Sequence, residues 1–220
     1  MKKVAIAAAT LMLLVGAASA QENEAGNRKV NFWIEFHYGV GVLDGSKGFT
    51  NHMQTHHPTI DYRSTYTSPI QIGEGFGIEY RQVTLGLKIE GMAGSMNSVE
   101  NQFCKKEDYL YHMDLGYRFK LGLGLTLEPT AGFGVGLSDI YLATSRGGTD
   151  YVNSFSTANY IVPLVLNLTA GKNGTEYGIY VQYIICAGQI GKAHITGLAT
   201  EVDDLYFQPT MLSFGAKCRF

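Results

Sequence analysis

The chain has 220 residues, a formal net charge of −2 and no long basic run, a balance that excludes a nucleic-acid partner, which calls for a basic face or stripe. Its 14 tyrosines, 11 phenylalanines and 27 glycines beside a single tryptophan suit strands and turns better than helices. Three scattered cysteines, Cys104, Cys186 and Cys218, exclude a disulfide framework or a zinc site.

In chain order, Lys2 and Lys3 precede an apolar run over 4–15 and then Ala18-Ser19-Ala20, the three regions of a secretory signal. The run is too short for a membrane-spanning helix, which needs about 20 apolar residues. Residues 1–20 are therefore expected to be removed, leaving Gln21 first, and 21–220 to form one exported domain. Gln21 in place of a cysteine argues against a lipid-anchored N-terminus.

Strict alternation of side-chain character, the period of a strand, then recurs eight times. Phe32, Ile34, Phe36, Tyr38 and Val40 oppose Trp33, Glu35, His37 and Gly39. Phe76, Ile78 and Tyr80 oppose Gly75, Gly77 and Glu79, and Val83, Leu85, Leu87 and Ile89 oppose Thr84, Gly86, Lys88 and Glu90. Tyr109 to Phe119 sets Tyr111, Met113, Leu115 and Tyr117 against His112, Asp114, Gly116 and Arg118. A fifth stretch sets Leu127, Phe133, Val135 and Leu137 against Glu128, Gly132, Gly134 and Gly136. The sixth, around Tyr160 to Leu168, is apolar on both faces. The seventh sets Tyr177, Ile179, Val181 and Tyr183 against Glu176, Gly178, Tyr180 and Gln182, and the eighth sets Phe214, Ala216, Cys218 and Phe220 against Ser213, Gly215, Lys217 and Arg219.

The links alternate in length. Short ones fall at 81–82, 120–124 and 171–174, and long polar ones at 43–69, 94–108, 138–158 and 187–204. Short turns at one end and long loops at the other are the layout of a membrane barrel with its short end in the periplasm. The expected fold is all-β, an antiparallel up-and-down transmembrane β-barrel of eight strands. A lipocalin-like barrel would put the aromatics inside and the glycines outside, yet eight strands enclose a lumen that side chains barely fill, which suits glycine. Tyr80, Tyr109, Tyr117, Tyr160, Tyr177 and Tyr206, near strand ends, suit the two membrane interfaces.

The inward parity collects Glu35, Glu79, Glu90, Asp114, Glu128 and Glu176 with Lys88, Arg118, Lys217 and Arg219, an expected ion network closing the lumen, because buried charges must pair. Closing the barrel with Phe32 opposite Phe220 would set Trp33 against Arg219 and Glu35 against Lys217; a stagger of two residues would set Glu35 against Arg219. Glu74 breaks the pattern by sharing the lipid-facing parity of Phe76, and a bulge at Gly73 or Gly75 would turn it inward.

An enzymatic reading would use His37, His112 and Asp114, or the loop histidines His52, His56 and His57, but no serine stands at a recognisable spacing from a base. No metal, cofactor or catalytic residue is expected. A Cys104–Cys186 bridge stays open, since both fall toward the cell exterior. The long loops carry Tyr62, Tyr66, Tyr141 and Tyr151 among polar residues and are candidates for contact with an extracellular partner.

The final eight residues resemble the terminal strand of outer-membrane proteins in carrying a polar residue, a glycine, a hydrophobic residue and a last aromatic, here Ser213, Gly215, Cys218 and Phe220. The resemblance implies recognition of this strand by the outer-membrane assembly machinery. The whole layout resembles the small barrels of the OmpA and OmpX type and the porin-like families. It implies a Gram-negative outer-membrane location among that membrane's lipids and, because the chain stops at the last strand, no domain for cell-wall tethering. Such folds host several tasks: surface contact or a structural role is the first expectation here, with lipid A acyl chemistry or a small pore as alternatives.

Overall fold

The computed structural model describes residues 30–43, 45, 47–56, 65–66, 69–97, 102–146, 149–172, 174–196, 200–202 and 205–220. The expectations for the leader at 1–20, and for His57 and Tyr62, lie outside the described residues.

Among the described residues, twelve strands and one helix follow in chain order: β1 (Val30–Leu43), α1 (Lys47–His56), β2 (Thr65–Tyr66), β3 (Ile70–Tyr80), β4 (Val83–Asn97), β5 (Gln102–Tyr117), β6 (Phe119–Gly122), β7 (Leu125–Arg146), β8 (Thr149–Lys172), β9 (Thr175–Gln189), β10 (Ala193–Thr196), β11 (Thr200–Val202) and β12 (Leu212–Arg219). Eight of them, β1, β3, β4, β5, β7, β8, β9 and β12, pair antiparallel around a closed ring. β6 continues the line of β5 beyond Arg118 and pairs with β7. Closure leaves no unpaired edge among the eight staves, the condition for a sheet to sit in hydrocarbon.

The short-turn end carries tight connections. Arg81 adopts φ 59°, and Leu123-Gly124 adopts φ 52° and 77°, the paired positive values of a hairpin turn whose twist matches its strands. Both strand prolines fall where a ladder is interrupted. Pro129 lies between the end of β6 pairing at Leu127 and the start of β5 pairing at Thr130. Pro163 lies in the stretch where β7 and β8 are unpaired between Ala131/Leu164 and Gly134/Ile161. Proline has no N–H to donate, so a gap costs least there.

Closure corrects the first expected register by two residues: Ile34, not Phe32, exchanges backbone hydrogen bonds with Phe220, at 3.0 and 2.8 Å. Glu35 therefore stands opposite Arg219, and His37 opposite Lys217. The bulge expected at Gly73 or Gly75 is absent: β3 pairs residue for residue with β1 and β4, and Glu74 stays on the outward parity between Phe36 and Ile89.

The long links are largely built structure. The 138–158 link is the continuation of β7 and β8 into one tall hairpin, 94–108 is mostly β4 and β5, 43–69 holds α1 and β2, and 187–204 holds β10 and β11. In this upper part the two faces exchange character. Within the membrane span, Phe133 and Leu137 point outward while glycines point in; higher up, Ile140, Leu142 and Phe155 point inward, and Asp139 and Ser156 outward. The inward set joins Phe49 of α1, Cys104, Ala193, Leu205 and Phe207 in one apolar cluster, so the raised strands fold around a water-excluding core of their own.

Candidate functional site

Around the ring the outward side chains are apolar but for Glu74, for example Ile72, Leu115 and Ile179 at 62%, 59% and 60% exposure, whereas Glu35, Lys88, Glu90, Asp114, Lys217 and Arg219 are each under 7% exposed. A sheet with hydrocarbon outside and charge inside is built for lipid on its outer face. The candidate site is the filled lumen and the raised structure beyond its long-strand end.

At the short-turn mouth, Arg118 bridges Glu79 and Glu176. One level higher, Arg219 pairs with Glu128 at 2.7 Å and lays its guanidinium over the Trp33 ring at 4.2 Å, while Thr84 donates to Glu128 at 2.7 Å. Trp33 occupies a niche left by two glycines: a Cβ on Gly86 would lie 2.4 Å from the indole, and one on Gly77 2.6 Å from it.

Above this, Lys88 pairs with Glu35 at 2.8 Å and Asp114 at 3.3 Å, and Lys217 reaches Glu35 at 2.8 Å and Asn167 at 3.1 Å. His112 places one ring nitrogen 2.6 Å from Asp114 and the other 3.1 Å from Glu90. Glu90 also accepts from Gln71 at 2.8 Å and Gln182 at 3.0 Å and lies 3.4 Å from His37. Tyr180 donates to Gln71, and Ser213 to Gln182. Only about 10 Å³ of space remains within this layer. Glu35, Asp114, Lys88 and Lys217 have partners of opposite sign, and Glu90 is held by two imidazoles and two side-chain amides, as groups withdrawn from water require.

Met92, Leu110, Ile161 and Ile184 then form an apolar layer across the lumen. Over it lies a second polar level, where Lys106 pairs with Asp108 at 3.1 Å and Asp108 accepts from the backbone and hydroxyl of Thr210 at 2.9 Å each. Thr157 and Asn159 donate to the Phe207 carbonyl, which ties the 205–211 segment to β8, with Leu205 and Phe207 in the upper apolar cluster.

The ten charged residues singled out in the sequence thus lie in the lumen, in three adjoining groups. Sequence reasoning passed over Gln71, Asn167, Tyr180 and Gln182, which complete the network as neutral donors and acceptors; their inward parity was the available signal. Of the terminal residues, Ser213 faces the lumen, Gly215 lies against the β1 backbone where a Cβ would meet the Tyr38 carbonyl at 2.1 Å, and Cys218 and Phe220 lie on the outward parity. No disulfide joins Cys104 and Cys186, so the option of a bridge between them is not realised. His52 and His56 belong to α1, not to a loop. The described residues contain no group of three or more His, Cys, Asp or Glu able to hold a metal.

For the enzymatic alternative, His37, His112 and Asp114 lie buried inside the packed network. A serine and a histidine do meet on the outer rim, where Ser156 stands opposite both Asp139 and His194. Its hydroxyl donates to Asp139, so a carboxylate rather than an imidazole holds the serine.

No protein-family model matches the chain, and no curated protein matches it in sequence. Among solved structures it is similar to a major outer membrane protein from Thermus thermophilus, with 12% identity, a TM-score of 0.50, and coverage of 86% of this chain and 100% of that one. The fold is that of a small outer-membrane β-barrel. Two further similar structures are Neisserial surface protein A, with 10% identity, a TM-score of 0.44 and coverage of 87% of this chain and 98% of that one, and Ail, the attachment invasion locus protein of Yersinia pestis, with 10% identity, 0.48, and 88% and 100%.

Proposed function

We propose that the protein resides in the Gram-negative outer membrane, where its closed barrel is an anchor that raises an ordered extracellular structure for contact with a partner outside the cell. The observation that carries this reading is strand length. β7 and β8 run 22 and 24 residues, whereas a membrane is crossed in about 9–11. Roughly half of each strand therefore stands clear of the hydrocarbon, stiffened by the apolar cluster around Phe49, Ile140, Phe155 and Phe207. A stiff platform loses little conformational freedom when it binds, which favours affinity.

A pore is disfavoured by the apolar layer and the packed ion network. Acyl chemistry on lipid A is disfavoured because the serine on the rim is held by Asp139. The test replaces residues 143–152 by a two-residue turn. Cells carrying this variant should keep the barrel in the outer membrane and keep their lipid A acyl pattern, but lose attachment of whatever surface or soluble partner the parent cells bind. A changed lipid A pattern on deleting the gene would overturn the contact reading in favour of the enzyme.

A further inference from the structure

The middle layer of the lumen does not balance its charge. Glu35, Glu90 and Asp114 share it with Lys88 and Lys217, all of them buried, so three carboxylates against two ammonium groups leave −1. The neighbouring levels do not supply the difference. On the short-turn side Arg219 is matched by Glu128, and on the other side lies the apolar layer of Met92, Leu110, Ile161 and Ile184. Net charge sealed from water on both sides is costly.

The groups that face this layer from the surrounding strands narrow the choice of what cancels it. Gln71 of β3, Asn167 of β8, Gln182 of β9 and Ser213 of β12 are neutral, and the Tyr180 hydroxyl of β9 donates to Gln71, so it keeps its hydrogen. β7 presents only Gly134 opposite His112. Glu35 is engaged by both ammonium groups, which leaves the missing positive charge to the side of Glu90 and Asp114, where two imidazoles stand. His37 of β1 lies 3.4 Å from Glu90, and its Nε2 makes no hydrogen bond. His112 of β5 sets Nδ1 2.6 Å from Asp114 and Nε2 3.1 Å from Glu90. A neutral imidazole has one N–H and one lone pair, whereas an ionised carboxylate only accepts. A neutral His112 would therefore aim a lone pair at one of its two carboxylates, and only a ring with hydrogens on both nitrogens satisfies both.

We propose that this layer is a proton site: one bound proton, held by His112 as an imidazolium between Asp114 and Glu90, brings the sealed lumen to neutrality. The proton joins β5 to Glu90 of β4, which also accepts from Gln71 of β3 and Gln182 of β9, so four staves meet on it. Its loss leaves a buried negative charge without a counter-ion, and the packing of the lumen weakens as pH rises.

The test uses the mature protein refolded in lipid with nitrogen-15 in its histidine rings. At pH 8 a free imidazole, with its ordinary value of about 6.5, is neutral. The parent should nevertheless show His112 with both ring nitrogens bearing hydrogens. Asp114→Asn removes one negative charge, balances the layer without a proton, and should turn His112 neutral. His112→Gln identifies the signal; should that variant fail to fold, His37→Gln, which keeps His112, should retain it. A neutral His112 in the parent, an imidazolium that persists in Asp114→Asn, or its disappearance in His37→Gln would each overturn the site.

Urea unfolding from vesicles gives an independent readout. Above about pH 6.5 the folded parent holds one proton more than the unfolded chain, so the stabilisation is complete below that value and falls as pH rises. Between pH 7 and pH 8 the unfolding constant of the parent should rise about tenfold relative to that of Asp114→Asn, the linkage of one proton. Parallel pH profiles of the two proteins would contradict the proposal.

Discussion

Glu35 and Lys217 bond at 2.8 Å across the closure of the barrel although they are not opposite each other: Glu35 faces Arg219, and Lys217 faces His37. The lysine crosses diagonally to reach its carboxylate, a separation that long side chains can span. Arg219, the residue that does stand opposite Glu35, is engaged with Glu128 and Trp33.

The partners of this pair make the two single substitutions unequal. In Lys217→Met, Glu35 keeps Lys88 at 2.8 Å; in Glu35→Met, Lys217 is left with the neutral Asn167 and Lys88 with Asp114 at 3.3 Å. Glu35→Met should cost about 3–5 kcal/mol, the usual effect of stranding a buried charge, and Lys217→Met clearly less. A double-mutant cycle on urea unfolding from lipid vesicles should return a coupling of about 0.5–3 kcal/mol. A coupling of zero would place the closure register elsewhere.

The lumen should not conduct. An apolar layer of Met92, Leu110, Ile161 and Ile184 lies between two polar levels, so an ion would have to shed its hydration to pass. Purified protein in planar bilayers should give no large, stable steps, and well-resolved openings in the parent would show that the network and layer do not close the barrel.

Glu74 faces outward between Phe36 and Ile89 in a regular ladder. A carboxyl on the lipid-facing side is unfavourable by less than the roughly 2–4 kcal/mol of a cation at mid-membrane. Glu74→Leu should therefore raise stability by about 1–2 kcal/mol. A loss of stability on this change would mean that the carboxyl has a partner in the membrane.

Phe220 closes the ring through its backbone bonds to Ile34 and is the last aromatic of the segment that resembles an assembly signal. Its deletion should reduce membrane insertion far more than deletion of Gly148, as read by the unheated gel mobility of membrane fractions. Equal insertion of the two variants would make the resemblance fortuitous.

Eight staves and their inward sets were legible because a strand alternates faces with period two, and a charge such as Lys88 or Glu128 marks its face wherever hydrocarbon lies on the other side. The closure register was not legible to better than two residues, because stagger between the first and last strands leaves every side chain on the same face and so leaves no mark on the pattern. The raised hairpin was read as loop for a different reason. Between Leu137 and Ile140 the apolar side chains switch from the outward to the inward face, and Ser138 and Asp139 fall at the switch, so the alternation breaks where the strand leaves the membrane. Glu74 looked like a bulge because flanking glycines often mark one, whereas regular pairing here tolerates them.

The central claim is a closed barrel with its short turns in the periplasm and the β7–β8 hairpin outside the cell. It is tested most directly by labelling intact cells with a membrane-impermeant maleimide after Cys104, Cys186 and Cys218 are replaced by alanine. Two single cysteines are compared: Thr149→Cys at the top of the hairpin, and Leu123→Cys in the opposite turn, where the native side chain is 100% exposed. The account predicts rapid labelling at 149 and labelling at 123 only after the outer membrane is opened. Labelling at 123 in intact cells, or equal labelling at both, would contradict it.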